Sequence, residues 1–216
     1  MTTLALNEQL SAIKQQFIAA TPAEAHLALS RFIQEQQNSG LYNGLEVGSK
    51  TKDFVLKNAL GHSVSLYETL YKGPVVLTFY RGGWCPYCNT QLRAYQSILP
   101  QIREMGGQLI AVSPQSPDNT LSQVEKEQLT FEVLSDTNGL VAARYNLLCD
   151  VPEYVRNVLE GFGLDLAEYN QTDKWILPVP ATFMIDENAI IRSAYVNADF
   201  MQRMEPDDIL HELGKL

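Results

Sequence analysis

The chain has 216 residues, 45% of them hydrophobic, a size that one compact domain can fill with a sizeable core. Sixteen Lys and Arg against 25 Asp and Glu leave a net charge of −9, which disfavours nucleic acid and anionic membrane surfaces as partners. Three cysteines are too few for a disulfide scaffold, and their odd number fits a reducing compartment. The opening residues MTTLALNEQL show no basic cluster ahead of an apolar stretch. The apolar run around Val75 to Tyr80 is far short of the roughly 20 residues needed to span a bilayer. A cytoplasmic protein is expected.

Leu6, Leu10, Ile13 and Phe17 recur at helical spacing and predict a helix ending near Ala20. Thr21-Pro22-Ala23-Glu24 then reads as a capping box restarting a helix, with Ala25, Leu29 and Phe32 as its buried stripe and Asn38-Ser39-Gly40 as its stop. Residues 1–46 are thus a helical extension expected to pack on its own domain, or on a second subunit of a possible homodimer. Residues 47–216 form the main domain. Phe54-Val55-Leu56 and Val64-Ser65-Leu66 flank a Gly-containing turn and predict a hairpin. Pro74 to Tyr80 is the continuous apolar run of a strand buried on both faces, and it leads directly into Arg81-Gly82-Gly83-Trp84-Cys85-Pro86-Tyr87-Cys88.

Helical spacing resumes through Leu92, Tyr95, Ile98 and Leu99. A second buried strand follows at Leu109 to Val112, then a helix from Ser116 to about Gln128, a short strand at Phe131 to Leu134, and a helix from Asn138 to Tyr145. This alternation predicts an α/β fold with crossover helices. Ala181 to Ile185 and Ile190 to Tyr195 form a second hairpin around Asp186-Glu187-Asn188, and Glu205-Pro206-Asp207-Asp208 starts a last helix. Between them, an insertion at about 149–175 holds a helix start at Asp150 to Glu153 and a stop at Gly161-Phe162-Gly163. Roofing the site, shaping specificity and forming a dimer contact are its open uses.

The chemistry concentrates at Cys85 and Cys88. A Cys-x-x-Cys where a buried strand turns into a helix exposes a thiolate to unpaired N–H groups and the positive end of the helix dipole, which lowers its pKa. One cysteine attacks and the other, a turn away, closes a disulfide. Gly82 and Gly83 permit the tight turn, Trp84 and Tyr87 wall the site, and Pro86 is a supporting residue between the two cysteines. Zinc is the competing use of such a pair, but a closed zinc site needs four ligands. No second Cys pair exists, and His26, His62 and His211 are not closely spaced. Pro178-Val179-Pro180 before a strand is either a plain edge-strand start or a cis peptide at Pro180 that turns backbone groups toward the dithiol. Arg81 and Arg93 are candidate cations near the thiolate, Cys149 reads as a buried bystander, and Asp53 as a surface carboxylate rather than a buried proton acceptor. Nucleotide-binding and hydrolase motifs are absent: Gly161-Phe162-Gly163 lacks the third glycine and the preceding strand.

On these residues the chain resembles the thioredoxin-fold suprafamily and, within it, AhpC/TSA peroxiredoxin-like proteins. The resemblance rests on Asp53-Phe54, Phe79-Tyr80, Leu134-Ser135-Asp136 with Tyr145, and Ala181 to Asp186, and it spans Val47 to the C-terminus. It implies a central mixed β-sheet flanked by helices. Laid on the family motif Pro-x-x-x-Thr-x-x-Cys, Cys88 takes the peroxidatic position, Cys85 replaces the Thr and Arg81 the Pro. Pro180 stands where the family has an Arg. The Trp84 to Cys88 string and Pro180 are instead similar to thioredoxin, in which the first cysteine attacks.

The resemblance implies a thiol-dependent antioxidant enzyme that reduces peroxides through a Cys85/Cys88 dithiol-disulfide cycle. It uses no prosthetic cofactor or metal and is regenerated by an external thiol such as thioredoxin or glutathione. Two alternatives remain open at this point. One is a disulfide reductase with Cys85 as nucleophile and Cys88 as resolver. The other is a non-catalytic redox-sensing binding protein.

Overall fold

The computed structural model describes residues 4–216, so the first three residues of the helical extension lie outside it. The elements in chain order are α1 (Leu6–Ala20), α2 (Ala23–Ser39), β1 (Val55–Asn58), β2 (Ser63–Ser65), α3 (Leu66–Leu70), β3 (Val75–Phe79), α4 (Pro86–Ser97), α5 (Leu99–Glu104) and β4 (Gln108–Ser113). There follow α6 (Pro117–Glu127), β5 (Glu132–Ser135), α7 (Leu140–Arg144), β6 (Leu148–Asp150), α8 (Glu153–Gly161), α9 (Leu166–Asn170), β7 (Ile176–Pro178), β8 (Ala181–Ile185), β9 (Ile191–Val196) and α10 (Pro206–Leu213).

Seven strands form one sheet in the order β2-β1-β5-β4-β3-β8-β9. β3, β4 and β5 run parallel, while β8 pairs antiparallel with β3. Each residue of β3 and β8 is buried, as the unbroken apolar run of a strand covered on both faces requires. This is the mixed sheet with flanking helices of a thioredoxin-like fold. The consequence for function is positional, because β3 is central and its C-terminal end delivers the chain into the Cys85 turn.

The helical extension is integral to the core. Leu6 and Leu10 are buried on α1, which packs on α4, and α2 packs on α8. The capping box expected at Thr21 and Glu24 does not form. Pro22 occupies the cap position, and the Thr21 hydroxyl instead donates to the Phe17 carbonyl at 2.7 Å, closing the end of α1. At the other end of α1 the cap comes from far away in sequence. The Glu205 carboxylate accepts the Leu6 and Asn7 backbone N–H groups, each at 2.8 Å, and the Asn7 side chain bonds the Arg203 backbone from both sides. An anion at a helix N-terminus satisfies donors that have no partner within the helix.

The Val64–Leu66 strand ends one residue early, since Ser65 caps α3 through the Glu68 N–H and Leu66 begins that helix. Residues at the borders of the insertion pair as a small separate sheet, β6 with β7, which ties its two ends together. Val179-Pro180 is trans, and there is no cis peptide bond among the described residues. The Val179 N–H is held by the Leu147 carbonyl at 2.8 Å, and the Pro180 carbonyl accepts the Asn197 N–H. Pro180 therefore serves as the crossing point between the two sheets, a place where a missing N–H costs no ladder bond.

The Glu205 cap gives a stability test. Glu205→Ala strips two backbone donors of their acceptor and should cost about 1–2 kcal/mol. It would be read as a lower urea midpoint with an unchanged slope.

Candidate active site

Cys85 is the residue that caps α4, and Cys88 is the third residue of the helix. Both thiols are buried, and so are the two guanidinium groups beside them, Arg81 and Arg203. Gly82 carries φ +150°, and a Cβ there would lie 2.5 Å from the Trp84 indole nitrogen, so only glycine lets the indole fold over the turn. Gly83 is fixed on both sides by a buried network. Its N–H donates to Gln115 Oε1 at 2.8 Å, and its carbonyl accepts from Asn89 at 2.7 Å. Gln115, Gln123 and the Tyr80 hydroxyl bond one another beneath it. Such closed networks make a loop rigid.

The two sulfurs differ in charge. Burial pushes the Cys88 thiol up, but this is outweighed by the Cys85 thiol donating a hydrogen bond to the Cys88 sulfur, then by the Arg203 and Arg81 guanidinium groups, so the Cys88 pKa is lowered. The Arg81 backbone N–H adds a further bond. Cys85 is pushed well up, first by burial and then by its role as donor to Cys88. The pair titrates as a unit.

Arg203 Nη2 lies 3.5 Å from Cys88 Sγ. Its Nε donates to Gln91 Oε1 at 2.7 Å and its Nη1 to the Phe200 and Gln202 carbonyls. Arg81 is stacked with its guanidinium carbon 3.9 Å from the Phe200 ring centroid and 4.8 Å from that of Trp84. Among the described residues neither arginine forms an ion pair with a carboxylate. A buried cation without an anion is costly, and the Cys88 sulfur is the ionisable group that Arg203 touches.

Of the residues singled out from sequence, Trp84, Cys85, Pro86, Tyr87, Cys88 and Arg81 gather here. Arg93 does not: it pairs with Glu127 on the outside of α4. Asp53 is exposed, and its carboxylate accepts the Tyr67 N–H at the start of α3. Pro180 shares a small void with Arg81 and Cys149. Cys149 is buried, accepts from Gln36 and donates to the Leu177 carbonyl, and burial pushes its pKa up to about 12. It is a quiet thiol. Among the described residues no three His, Cys, Asp or Glu side chains converge as a metal-binding group. Arg203 is the functional residue that sequence reasoning missed. The only local signal is a cation set between apolar Phe200, Met201 and Met204 just before a Pro-started helix.

A cavity of about 360 Å³ opens against Cys85, with Trp84, Tyr87, Phe17, Leu29 and Leu159 among its walls. The helical extension and the insertion therefore roof it together.

Removing the Arg203 charge should raise the Cys88 pKa by about 1–3 units. In Arg203→Met the thiolate absorbance at 240 nm would then rise at higher pH than in the parent. An unchanged titration would show that Arg203 does not hold the charge. The depressed Cys88 pKa also means that the unfolded chain binds the extra proton. The reduced protein should therefore gain stability as pH rises from about 5 toward 9, and Cys88→Ser should flatten that rise.

The family model "AhpC/TSA family" matches residues 47–194. Chloroplastic peroxiredoxin Q of Sedum lineare is 25% identical over 181 residues, covering 83% of this chain and 84% of that protein. The thiol-disulfide oxidoreductase ResA of Geobacillus kaustophilus is 25% identical over 147 residues, covering 68% of this chain and 67% of that protein. The crystal structure of peroxidoxin BcpB from Mycobacterium tuberculosis superposes with a TM-score of 0.63 at 20% identity, covering 80% of this chain and 98% of that one. No described helix is long and apolar enough to cross a membrane. The matched region includes the buried β3 strand, the turn that carries both cysteines and the β8 strand beside it, and the chain belongs to the AhpC/TSA family.

Proposed function

We propose that the chain reduces peroxides with Cys88 as the attacking thiolate and Cys85 as the resolving thiol. It is a thiol-dependent oxidoreductase of the peroxiredoxin-like kind, and the roles of the two cysteines follow from their charges. The Cys88 thiolate attacks one peroxide oxygen, the O–O bond breaks, and the departing oxygen leaves as water or an alcohol after taking a proton. Cys88 becomes a sulfenic acid. Cys85 then attacks the Cys88 sulfur, its proton leaves with the hydroxide as water, and the Cys85–Cys88 disulfide forms. An external thiol restores the pair.

The observation that carries this reading is the Arg203 Nη2 contact to Cys88 Sγ at 3.5 Å. That contact favours the ionised form at Cys88, and the lowered Cys88 pKa beside the raised one of Cys85 runs in the same direction. The family's Thr and Arg are missing from their places in sequence. Arg203 brings a guanidinium back from another segment, and Arg81, held by ring faces, keeps N–H groups for an incoming oxygen. Disulfide exchange and redox sensing are not favoured as separate roles, because thiol exchange at Cys85 is already the regenerating half of the peroxidase cycle.

Stopped-flow oxidation of the reduced protein by hydrogen peroxide tests this. The rate should exceed that of a free thiol at the same pH by about 100-fold or more, the scale of preorganised charge stabilisation. Cys88→Ser should abolish it. Cys85→Ser should allow one turnover and leave a sulfenic acid that dimedone traps. A rate no faster than that of a free thiol, or a trapped sulfenic acid on Cys85, would overturn the assignment.

A further inference from the structure

α1 is fastened at one end. Leu6 and Leu10 are its buried side chains, and none from Ser11 to Ala20 is fully buried. Lys14, Phe17 and Ile18 overhang the cavity of about 360 Å³ that borders Cys85. An element that buries so little of its length opens at small free-energy cost. The fastened end depends on the loop that carries Arg203. Asn7 Nδ2 donates to the Arg203 carbonyl at 2.7 Å, the Arg203 N–H donates to Asn7 Oδ1 at 3.0 Å, and Glu205 caps the helix. The side chain of the same arginine reaches the dithiol, with Nη2 3.5 Å from Cys88 Sγ. Among the described residues no carboxylate can replace that sulfur. Asp199 accepts the Met201 N–H and the Gln202 side chain, and Glu205 spends both oxygens on α1. Arg81, the second buried guanidinium, rests on the Phe200 ring of the same loop.

We propose that Asn7 and Arg203 couple α1 to the redox state of the dithiol: α1 is held down while the dithiol is reduced and is released when the Cys85–Cys88 disulfide closes, which opens the cavity beside Cys85. The proposal rests on the thiolate cycle proposed above. Closing the disulfide removes the negative charge from Cys88 and the proton from Cys85. The peroxide takes the two electrons, the Cys85 proton and one proton from solvent as its O–O bond breaks, leaving water and an alcohol or a second water.

A disulfide sulfur carries no charge. Arg203 and Arg81 are then two buried cations with neutral oxygens and ring faces around them, and a buried ion that loses its partner is strongly destabilised. Arg203 reaches water by turning out of the interior, and it cannot do so without pulling on the Phe200 and Gln202 carbonyls it bonds. The 200–205 segment moves with it, Asn7 loses both bonds to the Arg203 backbone, and α1 loses its cap. Cys85 is 1% exposed in the reduced protein, and the wall that α1 contributes is the one removed when the reducing thiol is due. Linkage makes the coupling reciprocal: what the thiolate does for α1, α1 does for the thiolate. Asn7 is therefore a positioning residue for Cys88, acting through Arg203.

Hydrogen exchange read by mass spectrometry tests this on the full chain, comparing the reduced protein with protein oxidised by diamide, which takes the same two electrons and becomes a hydrazine. Amides of α1 and of residues 200–205 should exchange at least about tenfold faster after oxidation, while those of β3 and β4 stay unchanged. Cys88→Ser, which removes the charge without forming a disulfide, should show the fast α1 exchange under reducing conditions. Arg203→Met has no cation to strand, so its two redox states should exchange alike. Asn7→Ala should exchange fast in α1 in both states. It should also move the rise of thiolate absorbance at 240 nm to higher pH, which a loss of α1 packing alone would not do. Equal α1 exchange in the reduced and oxidised parent would overturn the coupling, and that comparison needs no variant to fold. So would a change confined to residues 82–97 around the disulfide, or an Arg203→Met protein that still loosens on oxidation. Diamide-treated protein that has not lost two hydrogens, or reduced protein without thiolate absorbance at pH 7, would count against the dithiol cycle itself and take the coupling with it.

Discussion

A guanidinium buried without a carboxylate sets the terms for this molecule. Arg203 is 2% exposed, and three of its contacts are neutral oxygens, of Phe200, Gln202 and Gln91. Neutral acceptors orient a cation without neutralising it, and leaving a full charge inside a protein costs several kcal/mol unless an anion is near. The Cys88 sulfur fills that need. The stabilisation is mutual, because the same contact that excuses the buried cation keeps the sulfur ionised. The thiolate proposed at Cys88 and the fold of the 200–205 loop are thus one electrostatic unit. A planar fork is also the right group for the task, since one edge can be spent on backbone carbonyls while another faces the sulfur.

The charge asymmetry within Cys-x-x-Cys follows from that unit. The spacing by itself treats the two cysteines almost alike, with one at the cap and one in the first turn, both near the positive end of α4. In thioredoxin-like reasoning the first cysteine would be the ionised one. Here both guanidinium groups act on the pair, but the one that reaches hydrogen-bond distance, Arg203, meets the second cysteine, whose pKa is lowered while that of Cys85 is raised. The two sulfurs differ in space as well: Cys88 is buried beside Arg203, while Cys85 borders the cavity.

What the sequence made legible was local. The buried run of β3, the turn at Gly82 and Gly83, the helix start at Cys85 and the stripe of α1 are each determined by neighbours a few residues away, and their physics can be read from spacing. What it hid was long-range. Arg203 and Cys88 are 115 positions apart, and the Glu205 cap on α1 spans 199. No periodicity encodes such contacts. The family's arginine position, now Pro180, suggested that no guanidinium stood at the site, whereas Arg203 from another segment lies beside Cys88. Pro180 itself was readable as a special position but not as which kind, because only the pairing of Val179 with Leu147 and of Pro180 with Asn197 shows a sheet crossing. Thr21 illustrates the converse, in that a good capping sequence was overruled when the hydroxyl found the Phe17 carbonyl instead.

The parts outside the family match, residues 47–194, carry more than their position suggests. Arg203 lies beyond that region on one side and α1 beyond it on the other, and the two are tied to each other. Asn7 brackets the Arg203 backbone, while Glu205 caps α1. The Tyr95 hydroxyl then fixes the Met204 carbonyl from α4, the helix that bears the cysteines. A displacement of α1 would therefore move the loop that aims the guanidinium, and the thiolate would lose its counter-charge without any change in the matched region. The same α1 supplies Phe17 to the cavity wall. One helix thus bears on both halves of the chemistry: through the 200–205 loop it steadies the charge on Cys88, and through its side chains it shapes the approach to Cys85. The electrostatics beside Cys88 thus depend on contacts made by segments at both ends of the chain, outside the matched region.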